Sequence, residues 1–235
     1  MFASLILKDL VINNDFNVLS LIDKIEKIAS LGVTRLVIAP VYYDEGSKSS
    51  IDEVKVIIED LNLYLKEKNI DLKLYPANTI RDNFKNVKEF INGDIGSIDN
   101  SNYVLLNVEE SNTIKELNEI IYEFNLINYI PIIFGPEKIK EVTDNYKNIS
   151  RLLKEECLLQ LDLASLNGEY GKKVLKVAKA LKKKDAYSFI GFEDNIKREY
   201  VNNELQGISK KGLFILMKNE NGSKRVKNKV IKSIH

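Results

Sequence analysis

The sequence predicts a single-domain α/β barrel of parallel strands, and three observations carry that expectation. Seven apolar, strand-like runs recur along the chain, most of them separated by stretches with helical spacing. Several runs, such as Leu36-Val37-Ile38-Ala39 and Ile130-Pro131-Ile132-Ile133-Phe134, are apolar throughout, as strands covered on both faces must be. The length, 235 residues, suits one core. A doubly wound open sheet satisfies the same pattern; the barrel is the preferred reading.

The first run, residues 2–7, has no positive region before it and is followed at once by Lys8 and Asp9. It is too short for a membrane span and reads as a buried strand, not a signal peptide. Residues 18–30 carry apolar side chains at three- and four-residue intervals with charges between, which predicts a helix. Further strands are expected at 34–39, 72–76, 103–108, 129–134, 158–163 and 187–192, and further helices at 51–66, 114–124 and 170–183. No linker or low-complexity stretch interrupts the pattern, so residues 1–207 are expected to form the barrel. From 208 to 235 the composition changes. Lys210, Lys211, Lys218, Lys224, Arg225, Lys227, Lys229 and Lys232 face only Glu220, around an apolar Leu213-Phe214-Ile215-Leu216-Met217. This reads as a basic helical extension packed on or near the barrel; peripheral contact with an acidic membrane surface or a partner's acidic tail is the alternative.

Charge excludes some functions. Lys+Arg 35 against Asp+Glu 34 gives a formal charge of +1, so no global field recruits nucleic acid, and aromatic residues are not interleaved with the basic ones. The lysine-rich face of the 170–183 helix reads as a solvated side. The one cysteine, Cys157, lies in an apolar run and reads as a buried thiol. With no disulfide available within the chain, a reducing, cytoplasmic location is expected. The only histidine is His235, so Ser-His-Asp and Cys-His mechanisms within the fold are excluded.

In parallel barrels the chemistry sits where strands end. There, Gln160-Leu161-Asp162-Leu163-Ala164-Ser165-Leu166-Asn167-Gly168-Glu169-Tyr170-Gly171-Lys172-Lys173 is similar to the Q-x-x-A-x-S-L-x-G-x-F/Y-G-K-K run of the CpsB/CapC-type tyrosine phosphatases of bacterial capsule and exopolysaccharide loci, members of the PHP superfamily. Gly32-Val33-Thr34, Tyr103-Val104-Leu105-Leu106, and Asn128-Tyr129-Ile130-Pro131 leading into Gly135-Pro136-Glu137-Lys138 add to the resemblance, which spans roughly residues 1–200. It implies a PHP-type distorted (β/α)7 TIM-like barrel. It also implies phosphotyrosine hydrolysis by divalent metals held on histidines and carboxylates, which bind phosphoryl oxygens and activate a water.

The departures fall on those ligands. The family's early H-x-H lies near Leu5 to Asp9, where there is no histidine; T-P-H-H becomes Ala39-Pro40-Val41-Tyr42. G-x-E-I-R becomes Ala77-Asn78-Thr79-Ile80-Arg81, A-H-P-E-R becomes Phe134-Gly135-Pro136-Glu137-Lys138, and S-D-x-H becomes Phe192-Glu193-Asp194-Asn195. The expectation is therefore a retained fold without catalysis or cofactor, acting as a binding or regulatory protein. Its partner would be a bacterial tyrosine kinase or a polysaccharide-assembly protein, and an oligomer is compatible with the resemblance. Lys8, Tyr42, Arg81, Lys138 and Asn195 would line the vacated pocket and could grip a phosphate or carboxylate, with Arg81 foremost; the simpler reading is that they are solvated loop ends. Two alternatives remain. One is a weak Mn- or Mg-dependent phosphatase on Glu193, Asp194 and Asp9, with Glu193 and Asp9 as metal ligands. The other is a structural subunit that associates through its basic C-terminal stretch.

Overall fold

The computed structural model describes residues 2–7, 15–42, 50–108, 113–193 and 208. Its strands are β1 (Phe2–Leu7), β2 (Arg35–Pro40), β3 (Lys73–Pro76), β4 (Thr79–Arg81), β5 (Tyr103–Asn107), β6 (Ile130–Phe134), β7 (Leu158–Asp162) and β8 (Phe189–Phe192). All pair in parallel, in the order β3-β2-β1-β8-β7-β6-β5-β4. The two ends of that order, β3 and β4, are consecutive in the chain. The sheet curls until Val41, just past β2, bridges Thr79 of β4, giving a TIM-like barrel.

The expected third strand is β3, and residues 79–81, expected to follow its end, form a further strand, β4. The break between them has a local cause. The Asn78 side chain is fully buried and accepts from Gly96 N at 2.9 Å, while Asn78 N donates to the Gly96 carbonyl at 3.2 Å, so this residue serves a neighbouring loop instead of a ladder. Thr79 restores the ring: its hydroxyl donates to the Ala39 carbonyl at 2.9 Å, and its carbonyl accepts from Tyr42 N at 3.0 Å.

The helices are α1 (Asp15–Ser30), α2 (Ile51–Glu67), α3 (Phe84–Asn92), α4 (Ile114–Leu126), α5 (Lys140–Asp144), α6 (Ile149–Leu152), α7 (Leu163–Leu166) and α8 (Gly171–Lys183). The expected long helices match α1, α2, α4 and α8; α3, α5, α6 and α7 are too short or too polar to show a periodic stripe over several turns. The α2 stripe of Ile51, Val54, Ile58, Leu61 and Leu65 is buried. At roughly 1.5–3 kcal/mol per buried aliphatic side chain, this outweighs the capping box of Ser50 and Glu53, which is worth about 1 kcal/mol. Thr113 and Glu116 cap α4 in the same way.

Side chains divide by strand alternation. Leu36, Ile38, Val104, Leu106, Leu159, Leu161 and Ile190 join the helices' apolar faces in the outer core, which also buries Ile208. Val37, Ala39, Ala77, Tyr103, Leu105, Ile132, Leu158 and Phe189 form the barrel interior. Ile6, Val41 and Phe134 form a small separate cluster. Alongside the apolar interior lies buried polar contact: Gln160 Nε2 donates to Ser4 Oγ at 2.5 Å. Gly191 leaves space there, since a Cβ on it would stand 2.2 Å from Gln160 Nε2 and 2.6 Å from the Phe134 ring. Gly191→Ala should therefore destabilise the fold by about 1–3 kcal/mol through overpacking, read as a lowered urea midpoint.

Candidate functional site at the strand ends

The site is built by the turn after β6. Gly135 takes a left-handed conformation (φ 64°), and Pro136, with its φ fixed, opens a one-turn 3-10 helix over Pro136–Lys138. This turns Glu137 inward, where it is fully buried, and extends Lys138 across the ends of β6, β7 and β8. A Cβ on Gly135 would lie 2.3 Å from Lys138 Cε and 3.1 Å from Nζ. The glycine is needed for the space it vacates as well as for its φ.

Lys138 Nζ sits 2.9 Å from Asp162 Oδ2 and 3.0 Å from Glu193 Oε1. The Phe134 and Tyr170 rings flank it, with centroids at 4.6 and 4.9 Å, and add cation–π attraction to the two ion pairs. The outer oxygens are also engaged. Asp162 Oδ1 accepts from Ala164 N at 3.0 Å, capping α7, and Glu193 Oε2 accepts from the Tyr170 hydroxyl at 3.1 Å. Asp162 is 0% exposed, Lys138 14% and Glu193 38%. A lone ion at the Asp162 depth would cost several kcal/mol, so the ammonium is an electrostatic requirement of the carboxylate. Burial pushes the Asp162 carboxyl upward against the pull of Lys138. Burial acts to lower the lysine, but the two carboxylates hold it above its ordinary value. Burial and the same two carboxylates keep Tyr170 a neutral phenol.

Behind this pair, Glu137 Oε1 accepts from Asp162 N at 3.0 Å and Oε2 accepts from the Tyr187 hydroxyl at 3.0 Å. Burial, then the nearby Asp162 charge, push Glu137 up to about 7.

Of the residues expected at this end, Lys138 and Glu193 are brought into contact. Tyr42 is buried in the outer core. Arg81 ends β4 half-buried, with its carbonyl accepting from Asn83 N at 2.8 Å at the start of α3. Lys8, Asp9, Asp194 and Asn195 lie outside the described residues. Sequence reasoning missed Asp162, Glu137, Tyr170 and Tyr187. Asp162 carried a signal, being the one charged residue in an otherwise apolar and amide run, where a buried carboxylate demands a partner. Cys157 is buried as expected, its thiol pushed up to about 12 by burial.

Residues 17–212 match the family model for capsular polysaccharide synthesis, CpsB/CapC. The chain belongs to the CpsB/CapC family. Two curated relatives agree. CapC of Staphylococcus aureus, whose name provisionally assigns it as a tyrosine-protein phosphatase, is 27% identical over 157 residues, 67% of this chain and 62% of that one. The tyrosine-protein phosphatase YwqE of Bacillus subtilis is 24% identical over 141 residues, 60% of this chain and 56% of that one. The match thus spans less than two thirds of either relative. A crystal structure from the pair YwqE of Bacillus subtilis and CpsB of Streptococcus pneumoniae, described as unique metal-dependent tyrosine phosphatases, superposes with TM-score 0.75 at 17% identity over 88% of each chain. That likeness establishes the PHP-type TIM-like fold.

Several positions at which the resemblance implies metal ligands have other work here. Val41 packs beside Phe134 and bridges β4, Tyr42 fills the outer core, and Thr79 closes the barrel seam. Gly135 admits the Lys138 stem. Among the described residues no three histidine, cysteine or acidic side chains are grouped to hold a metal ion. The carboxylates that do converge, Asp162 and Glu193, converge on an ammonium. With Lys138 between them, the described carboxylates do not fit a divalent ion.

The raised Glu137 acid gives a pH dependence with a definite sign. Between about 4.5 and about 7 the folded state keeps a proton that the unfolded state has lost, so stability is full below that window and falls as pH rises through it. Glu137→Gln should remove a loss of about 3 kcal/mol, leaving the variant more stable than wild type at pH 8 but not at pH 4.5. Urea denaturation of both chains across pH reads this directly.

Proposed function

We propose that this chain is a non-catalytic member of the CpsB/CapC family that acts as a binding or regulatory protein. The observation that carries the reading is the Lys138 ammonium seated between Asp162 and Glu193, where a metal-dependent phosphatase needs carboxylates free for metal. The sequence supports it: one histidine, at position 235, for a chemistry that uses imidazole ligands. So does the recruitment of Val41, Tyr42 and Thr79 into packing and strand closure. A tyrosine kinase or a polysaccharide-assembly protein is the proposed partner. Arg81 at the end of β4 is the first candidate for contact with its phosphate or carboxylate groups. The residual-carboxylate phosphatase gains nothing from the geometry, because Glu193 is already bonded on both oxygens.

The test is phosphate release from a phosphotyrosyl peptide by the purified chain with added Mn, run beside Glu193→Ala. The expected outcome is no release above the variant. Release by the wild type that the variant abolishes would make the chain an enzyme and overturn the proposal.

A further inference from the structure

We propose that Lys138 is a tethered cation that holds Asp162 and Glu193 in place of a metal ion, and that this one side chain keeps divalent metal out of the strand-end carboxylates. The argument begins with the oxygens. Asp162 and Glu193 each turn one oxygen to Nζ, at 2.9 and 3.0 Å, while their second oxygens are held by Ala164 N and the Tyr170 hydroxyl. The pair is thus preorganised around one positive charge and presents it two monodentate oxygens. That is the protein contribution with which Mg or Mn is commonly held, water and substrate oxygens completing the shell. Mg–oxygen bonds are about 2.0–2.1 Å, so each oxygen must move in by somewhat under 1 Å to change an ammonium nest into a metal site. Glu193, the more exposed of the two, has room to do so.

The lysine's access depends on its own turn. The Gly135 Cβ position lies on the Lys138 stem, so any side chain at 135 and this course of Lys138 exclude one another. Glycine at 135 and lysine at 138 are therefore one device, and the Phe134 and Tyr170 rings complete it by flanking the ammonium. An ion tethered by a covalent stem has a local concentration that no free divalent cation matches, and this excludes metal without any change of fold.

The test is Mn titrated into the full chain, with free Mn followed by its electron paramagnetic resonance signal. Lys138→Met should bind one Mn per chain more than wild type, and adding Glu193→Ala should abolish that gain. Equal uptake by wild type and Lys138→Met, or a gained ion that survives Glu193→Ala, would overturn the proposal. Should Lys138→Met not fold, the wild type carries the test through acetylation of Lys138 read by mass spectrometry. Protection that Mn leaves unchanged supports the tethered cation, and deprotection by Mn overturns it. These readouts record occupancy, not phosphate release, so hydrolysis supported by other groups would defeat the functional reading above and leave this inference standing.

Discussion

A buried carboxyl group must either keep its proton or find a counter-charge, and the Asp162 side chain, fully enclosed at the end of β7, takes the second course and constrains everything near it. Lys138 answers it from one side, the α7 amide from another, and Glu193 shares the ammonium from the solvent edge. Because Lys138 is delivered by the β6 turn and Glu193 by the end of β8, the charge requirement of one residue fixes three strand ends relative to one another. Glu137 tightens the arrangement from behind by taking the Asp162 backbone N–H.

Family membership and this local chemistry describe different levels of the molecule. CpsB/CapC membership accounts for the strand order, the helical cover and the matched run through Gly168-Glu169-Tyr170-Gly171. The strand-end chemistry is a separate layer, because a scaffold does not by itself determine which side chains stand at its strand ends. Here Val41, Tyr42, Thr79 and Gly135 are integrated into seams and packing, so a larger ligand side chain at any of them meets a neighbour already in place.

The barrel was legible from residues because a strand covered on both faces has no polar alternation to confuse it, and because α2, α4 and α8 each carry a long apolar stripe. The further strand that begins at Thr79, after Ala77-Asn78, was not legible. Whether an asparagine continues a ladder or turns to bond a loop depends on Gly96, eighteen residues away. The helix α3 was missed for a related reason. Its nine residues bury only Asn86, Val87 and Phe90, too few to establish a period, and its position is fixed by Phe90 packing edge-on to Phe124 and Tyr129. In the site, Lys138 and Glu193 were picked out from the strand ends, but as separate candidates for ligand and metal. Their mutual contact depends on the third partner, Asp162, which lies inside a strand and was read as scaffold.

The short strand β4 also sets how the ring closes. β4 has three residues on the β5 ladder, while on its other side a single bridge from Val41 ties it to the β2 edge. Among the laddered neighbours, β1 and β8 share two paired residues and every other pair shares three or more. The barrel is therefore built as an arc with a clasp, not as a uniform hoop. Arg81 ends the strand that carries the clasp, while Lys138 is delivered by the turn after β6, two strands along the arc.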